Sequence, residues 1–63
     1  MKYAVCYYDG NAFNVFISET SNVTNLLRED EEINFIVQLP DDGGLIIIEG
    51  EEKHSDDFEN RYA

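Results

Sequence analysis

The sequence predicts an α+β fold: a small antiparallel β-sheet of about four strands in the order β-β-α-β-β, one short helix packed on it, and a C-terminal helical turn. Three observations predict it. Four segments are rich in β-branched and aromatic residues, and three of them alternate with a period of two. One segment between the second and third, around Val23 to Asp30, instead places apolar residues at helical spacing. The length, 63 residues with 43% hydrophobic residues, holds a single domain spanning 1–63 and not two.

Lys2 to Tyr8 reads as a strand whose two faces are both apolar, Tyr3, Val5 and Tyr7 against Ala4, Cys6 and Tyr8, which suits a central position. Asp9-Gly10-Asn11 is a turn signal, and Asp-Gly favours a tight type I′ hairpin because Gly accepts positive φ. Ala12 to Ser18 forms the second strand, with Phe13, Val15 and Ile17 on one side and Asn14, Phe16 and Ser18 on the other. These two strands are expected to pair antiparallel.

Thr20, Ser21 and Asn22 each offer a short side-chain oxygen to the orphan N–H groups of a first helical turn. Val23, Leu26 and Leu27 then share one face of an expected two-turn helix, too short to stand without packing. Glu29 and Asp30 fall at its C-terminal end, where the helix dipole disfavours anions. Ile33 to Leu39 is the third strand, with Ile33, Phe35, Val37 and Leu39 on one face. Pro40 to Gly44 is a loop of turn formers, and Leu45 to Glu49 the fourth strand. Its unbroken Leu-Ile-Ile-Ile run calls for cover on both faces or for an apolar strip used in association. Gly50 ends it. Ser55 is expected to cap a last helical turn, anchored by Phe58 and Tyr62; otherwise residues 51–63 form a loosely attached acidic segment.

The charge is uneven. Asp9 and Glu19 balance Lys2 and Arg28 up to residue 28, so the whole net charge of −10 falls on residues 29–63. The twelve acids there are Glu29, Asp30, Glu31, Glu32, Asp41, Asp42, Glu49, Glu51, Glu52, Asp56, Asp57 and Glu59. Direct binding to nucleic-acid phosphates is disfavoured by this balance. No apolar run approaches the ~20 residues that cross a membrane, and no secretion signal is seen. A lone Cys6 permits no internal disulfide and fits the cytoplasm.

The chemistry-bearing residues read mostly as structure. Cys6, mid-strand and without a basic neighbour, is a small buried hydrophobe. His54 is a solvated side chain in an acidic segment, and one Cys with one His completes no zinc site. The carboxylates match no calcium loop, so neither metal nor cofactor is expected. A Ser–His–Asp arrangement would need Ser55 or another Ser to approach His54 in a cleft that so short a chain has little room to build. Paired-carboxylate hydrolysis would need two acids flanking a substrate cleft. The Asn22-Val23-Thr24 sequon reads as a chance match. Tyr3, Tyr7, Tyr8 and Tyr62 serve either packing or recognition.

The expected function is therefore non-enzymatic. A coherent acidic surface formed by the twelve carboxylates would occupy the basic surface of a nucleic-acid-processing enzyme in place of phosphates. In size and charge alone the chain is similar to small acidic phage inhibitors of restriction, CRISPR or repair enzymes. The alternatives are a homo-oligomeric assembly module, such as a homodimer joined through Leu45–Ile48, and an acidic immunity protein or antitoxin that neutralises a basic nuclease.

Overall fold

The computed structural model describes residues 1–41 and 44–62. Among these residues are six strands: β1 Lys2–Tyr8, β2 Phe13–Ser18, β3 Glu32–Leu39, β4 Leu45–Ile48, β5 Glu51–His54 and β6 Glu59–Asn60. Four of them form one sheet in the order β3-β1-β2-β6, and β4 with β5 forms a separate two-stranded hairpin.

β1 is central, as its two apolar faces require. It pairs antiparallel with β2 from Tyr3↔Ser18 to Tyr8↔Phe13, and with β3 from Lys2↔Leu39 to Tyr8↔Glu32. The β1–β2 loop has four residues, not the two of a tight type I′ turn. Asp9 is the reason: its Oδ1 accepts from the N–H groups of Asn11 and Ala12, both at 2.8 Å, and its Oδ2 accepts from Asn14 Nδ2 at 2.9 Å. A side chain that satisfies two successive amides builds its own wider turn, and Gly10 supplies the positive φ of 93° inside it.

The expected helix is absent, and the fold is a β-sheet assembly, not α+β. Residues 19–31 carry only a 3₁₀ turn, Thr24–Leu26, preceded by Val23 without a side-chain cap. Of the three would-be caps, Thr20 is spent locally: its Oγ1 accepts from the Asn22 N–H, while its own N–H donates to Ser18 Oγ. Val23, Thr24, Asn25 and Asp30 are poor helix formers, and Glu29 with Asp30 oppose the dipole, so nothing sustains a second turn. The apolar residues still do their packing. β2 and β3 flank β1, so the 19–31 connection crosses a face of the sheet, where Val23, Leu26 and Leu27 cover Val5, Tyr7 and Phe16.

The opposite face carries Ala4, Cys6, Val15, Ile17 and Leu39, and receives Ile46, Ile48 and Phe58. This is where the hairpin lies. Glu49 and Gly50 form its two-residue turn, both with positive φ (52° and 82°), the combination a type I′ hairpin requires. β4 alternates, with Ile46 buried and Leu45 and Ile47 exposed. Ser55 closes the hairpin's foot and caps no helix: its N–H donates to Gly44 O at 3.0 Å and its Oγ accepts from Gly44 N at 3.1 Å. The C-terminal helical turn is replaced by a 3₁₀ turn, Ser55–Asp57, followed by β6, which pairs parallel with β2 at Phe16 and Ile17. Phe58 packs inward as expected, but Tyr62 is exposed, and Arg61 takes the anchoring role.

β3 carries a bulge. Cys6 pairs with Phe35 and Tyr7 with Ile33, so Asn34 has no opposite number. One extra residue reverses every side chain beyond it. Ile33 therefore lies on the Tyr7 face, opposite to the face of Phe35, Val37 and Leu39 that simple alternation assigned it.

Candidate protein-binding surface

Of the twelve carboxylates, the eleven among the described residues fall into three settings. Two of them are structural. Glu31 is buried between the crossover and the C-terminus, its two oxygens accepting from Arg61 Nη1 at 2.6 Å and Nη2 at 3.0 Å. Glu59 accepts from Arg61 at 3.2 Å and from Arg28 at 3.1 Å. These donors hold both carboxyls below the usual range, Glu31 down to about 2; for each, the Arg61 hydrogen bonds are the largest cause.

A second group gathers around a cleft of about 550 Å³. Glu49 at the hairpin turn, Glu51 on β5, Asp57 in the 3₁₀ turn and Glu59 on β6 line it, together with Lys53. The cleft exists because β6 covers β2 only at Phe16 and Ile17, leaving the Phe13–Val15 edge of β2 uncovered beside the hairpin. Ile48 and Phe58 complete an apolar floor. Lys53 reaches Glu51 at 3.1 Å, an exposed pair that contributes little. Among the described residues no basic side chain pairs with Glu49 or Asp57.

Phe13 joins this cleft to a smaller depression of about 260 Å³, lined also by Tyr8, Glu32, Ile33 and Asn34. Tyr8 and Phe13 face each other across the hairpin with ring centroids 5.1 Å apart, and remain 39% and 42% exposed. The result is an exposed aromatic pair with Glu32 on one flank and Glu49, Glu51, Asp57 and Glu59 on the other.

The third group lies apart. Glu29 and Asp30 sit in the exposed turn before β3, and Asp41 beyond its far end, with the eight-residue strand between them. Glu52 and Asp56 are exposed and line neither hollow, and Asp42 lies outside the described residues. The acidic half thus yields one concentrated site of five carboxylates with others set around the molecule.

Cys6 is buried, and that burial pushes its thiol up, with Glu49 adding to the rise and a hydrogen bond from Asn34 opposing it. A thiol held protonated is a poor nucleophile. His54 stands opposite Leu45 on an exposed stretch of hairpin. Among the described residues no three His, Cys, Asp or Glu side chains are arranged to hold a metal ion. No helix among them is long and apolar enough to cross a membrane.

Sequence reasoning did not single out the Tyr8–Phe13 pair: a two-residue turn at Asp9-Gly10 would set Tyr8 opposite Asn11, and only the wider loop places it opposite Phe13. The ion pairs of Arg61 left no trace either, because Glu31 lies 30 residues away inside a run of acids and Glu59 belongs to another acidic cluster. No family model matches the chain, and neither the curated proteins nor the solved structures contain a match to it.

Proposed function

We propose that the protein is a non-enzymatic binding module that docks on the basic surface of a nucleic-acid-processing protein and competes there with nucleic acid. The observation that carries this reading is the cleft in which Glu49, Glu51, Asp57 and Glu59 surround an apolar floor beside the exposed Tyr8–Phe13 pair. Charge alone gives on-rate and orientation more than affinity. Aromatic side chains at a rim of carboxylates add the anchoring contact that a basic surface with an apolar element accepts. Basic proteins that bind phosphates present Lys and Arg at intervals of a few ångströms, and Glu49 in the hairpin turn and Glu51 at the start of β5 bring two carboxylates to the same cleft. The free Cys6 thiol suits the cytoplasm, where such targets act.

The test is displacement of a fluorescent DNA duplex from a panel of basic DNA-binding enzymes, including a restriction endonuclease, a Cas nuclease and a repair glycosylase. Displacement is expected for at least one member, weakening about tenfold or more between 50 and 500 mM salt. The double variant Glu49→Lys, Asp57→Lys is expected to abolish it, and Phe13→Ala to weaken it. Equal displacement by wild type and the double variant refutes the reading.

A further inference from the structure

We propose that β3 is a docking edge for a second copy of this chain, paired antiparallel across a two-fold axis so that two four-stranded sheets become one continuous sheet. β3 is eight residues long and has one strand neighbour, β1, so its outer row of N–H and C=O groups has no strand beside it. Proteins normally protect such an edge with a charge, a proline or a very short strand. The opposite edge of this sheet is protected in that way, since β6 is two residues long, carries Glu59, and leads into Arg61. β3 is protected only at its start, by Glu32 and the bulge at Asn34: Phe35 to Leu39 is regular and contains neither charge nor proline.

The side chains name the kind of partner. Phe35 and Val37 lie on one face of the sheet and Ile36 on the other, and all three are more than a third exposed. A partner laid against one face leaves the other wet. An added strand contacts both. The edge also lacks any carboxylate between Ile33 and Gln38 to attract a cationic partner, in contrast to the cleft, so the two surfaces select different occupants. A second β3 supplies what this edge matches. With the two-fold near Ile36, Phe35 of one copy lies opposite Val37 of the other, an aromatic–β-branched pair of the type that stabilises sheets. Such an interface is isologous and closed, which limits assembly to two copies.

Electrostatics sets the strength and its salt dependence. Glu32 and Asp41 bound the strand, so antiparallel pairing brings like charges together at both ends. One strand also buries less than the ~800 Å² per partner of a standard interface. The dimer is therefore weak, with a dissociation constant on the order of micromolar to tens of micromolar, and salt strengthens it by screening. That sign is opposite to the one expected for docking on a basic target, so either idea can fail without the other.

Sedimentation equilibrium from about 1 to 200 µM at 50 and 500 mM NaCl tests the proposal. Expected are a monomer at the lowest concentration, a dimer at the highest, and a larger dimer fraction at high salt. Val37→Lys is expected to abolish the dimer, and Ile47→Lys, on the outer face of the hairpin, to leave it intact. Should Val37→Lys fail to fold, hydrogen exchange on the unaltered chain replaces it: amides of Phe35–Leu39 should gain protection as concentration rises. A monomer throughout at 500 mM NaCl, a dimer lost on Ile47→Lys but kept on Val37→Lys, or no concentration-dependent protection of β3 overturns it.

Discussion

Arg61 ties the last residues of the chain to the first half of the fold. Its guanidinium donates to Leu26 O at 3.2 Å, to both oxygens of Glu31, to Glu59 and to Tyr7 Oη at 3.4 Å. It also lies 4.5 Å from the Phe16 ring centre and 5.1 Å from that of Tyr7, within cation–π range. Both Arg61 and Glu31 are nearly fully buried, with 8% and 4% of the side chain exposed. Removing one member of a buried pair strands the other charge, so Arg61→Ala is expected to cost about 3–5 kcal/mol. The pH dependence follows from Glu31. Its carboxyl ionises at about 2 in the folded chain against 4.5 normally, so the stabilisation is complete above pH ~4.5 and is lost as pH falls toward 2. Urea unfolding between pH 7 and 2 should show wild type losing up to about 3 kcal/mol more than Glu31→Gln over that window. A parallel loss in both proteins refutes the assignment. Nothing in the sequence separates Glu31 from Glu29, Asp30 and Glu32. Only the chain reversal that delivers Arg61 from 30 residues away makes it the one acid that cannot face a partner.

At the level of elements, the legible parts were those with a short period and local partners. β1 and β2 alternate strictly and are joined by a turn whose Asp and Gly announce it, so their pairing could be read directly. The helix failed because Val23, Leu26 and Leu27 need only to face the sheet, and one 3₁₀ turn in an extended crossover satisfies that spacing as well as two α-turns do. β5 was invisible because Glu51-Glu52-Lys53-His54 has no apolar alternation. It is a strand only because the Glu49–Gly50 turn folds it onto β4. Glu49 holds a φ of 52°, a left-handed conformation that costs a non-glycine residue roughly 1 kcal/mol. Asn tolerates it better, and Asn-Gly is the favoured type I′ pair. Glu49→Asn is therefore expected to raise stability by about 0.5–1 kcal/mol, measured as a higher denaturation midpoint with an unchanged slope. An unchanged or lower midpoint would show that the turn does not limit the hairpin. The same substitution removes a cleft carboxylate, so it should weaken binding to a basic target while strengthening the fold. That opposition is what strain held at a binding site predicts.

Over the whole molecule, the two halves of the sequence do different work. Among the described residues, eight of the ten buried hydrophobic ones, from Ala4 to Val23, belong to the near-neutral first 28 residues, and only Leu39 and Ile46 to the acidic remainder. The neutral half makes the core. The acidic half is wrapped around it as an edge strand, a hairpin and a short C-terminal strand, tied back by Arg28 and Arg61. This division explains how a chain of 63 residues bears a net charge of −10: the acids lie in the shell, where water solvates them, and the two that are paired with Arg61 are the ones that fasten the shell. Self-repulsion remains, because Glu29, Asp30, Glu32, Asp41, Glu49, Glu52, Asp56 and Asp57 have no basic partner among the described residues. Screening lengths shrink from about 30 Å at 10 mM salt to about 3 Å at 1 M, and the Cα envelope measures 31 × 28 × 16 Å, so nearly every pair of these acids interacts at low salt and few do at high salt. Thermal midpoints at about 1 µM, below the range where β3 pairing contributes, should therefore rise steadily with NaCl. Arg61→Ala should show the same rise from a lower base, because its buried ion pair is poorly screened in wild type and contributes little to the salt slope. A midpoint that is flat or falls with salt would mean that attractive surface pairs, and not repulsion, dominate the shell, and the acidic half would then be a stabilising network instead of a charge held in reserve for a partner.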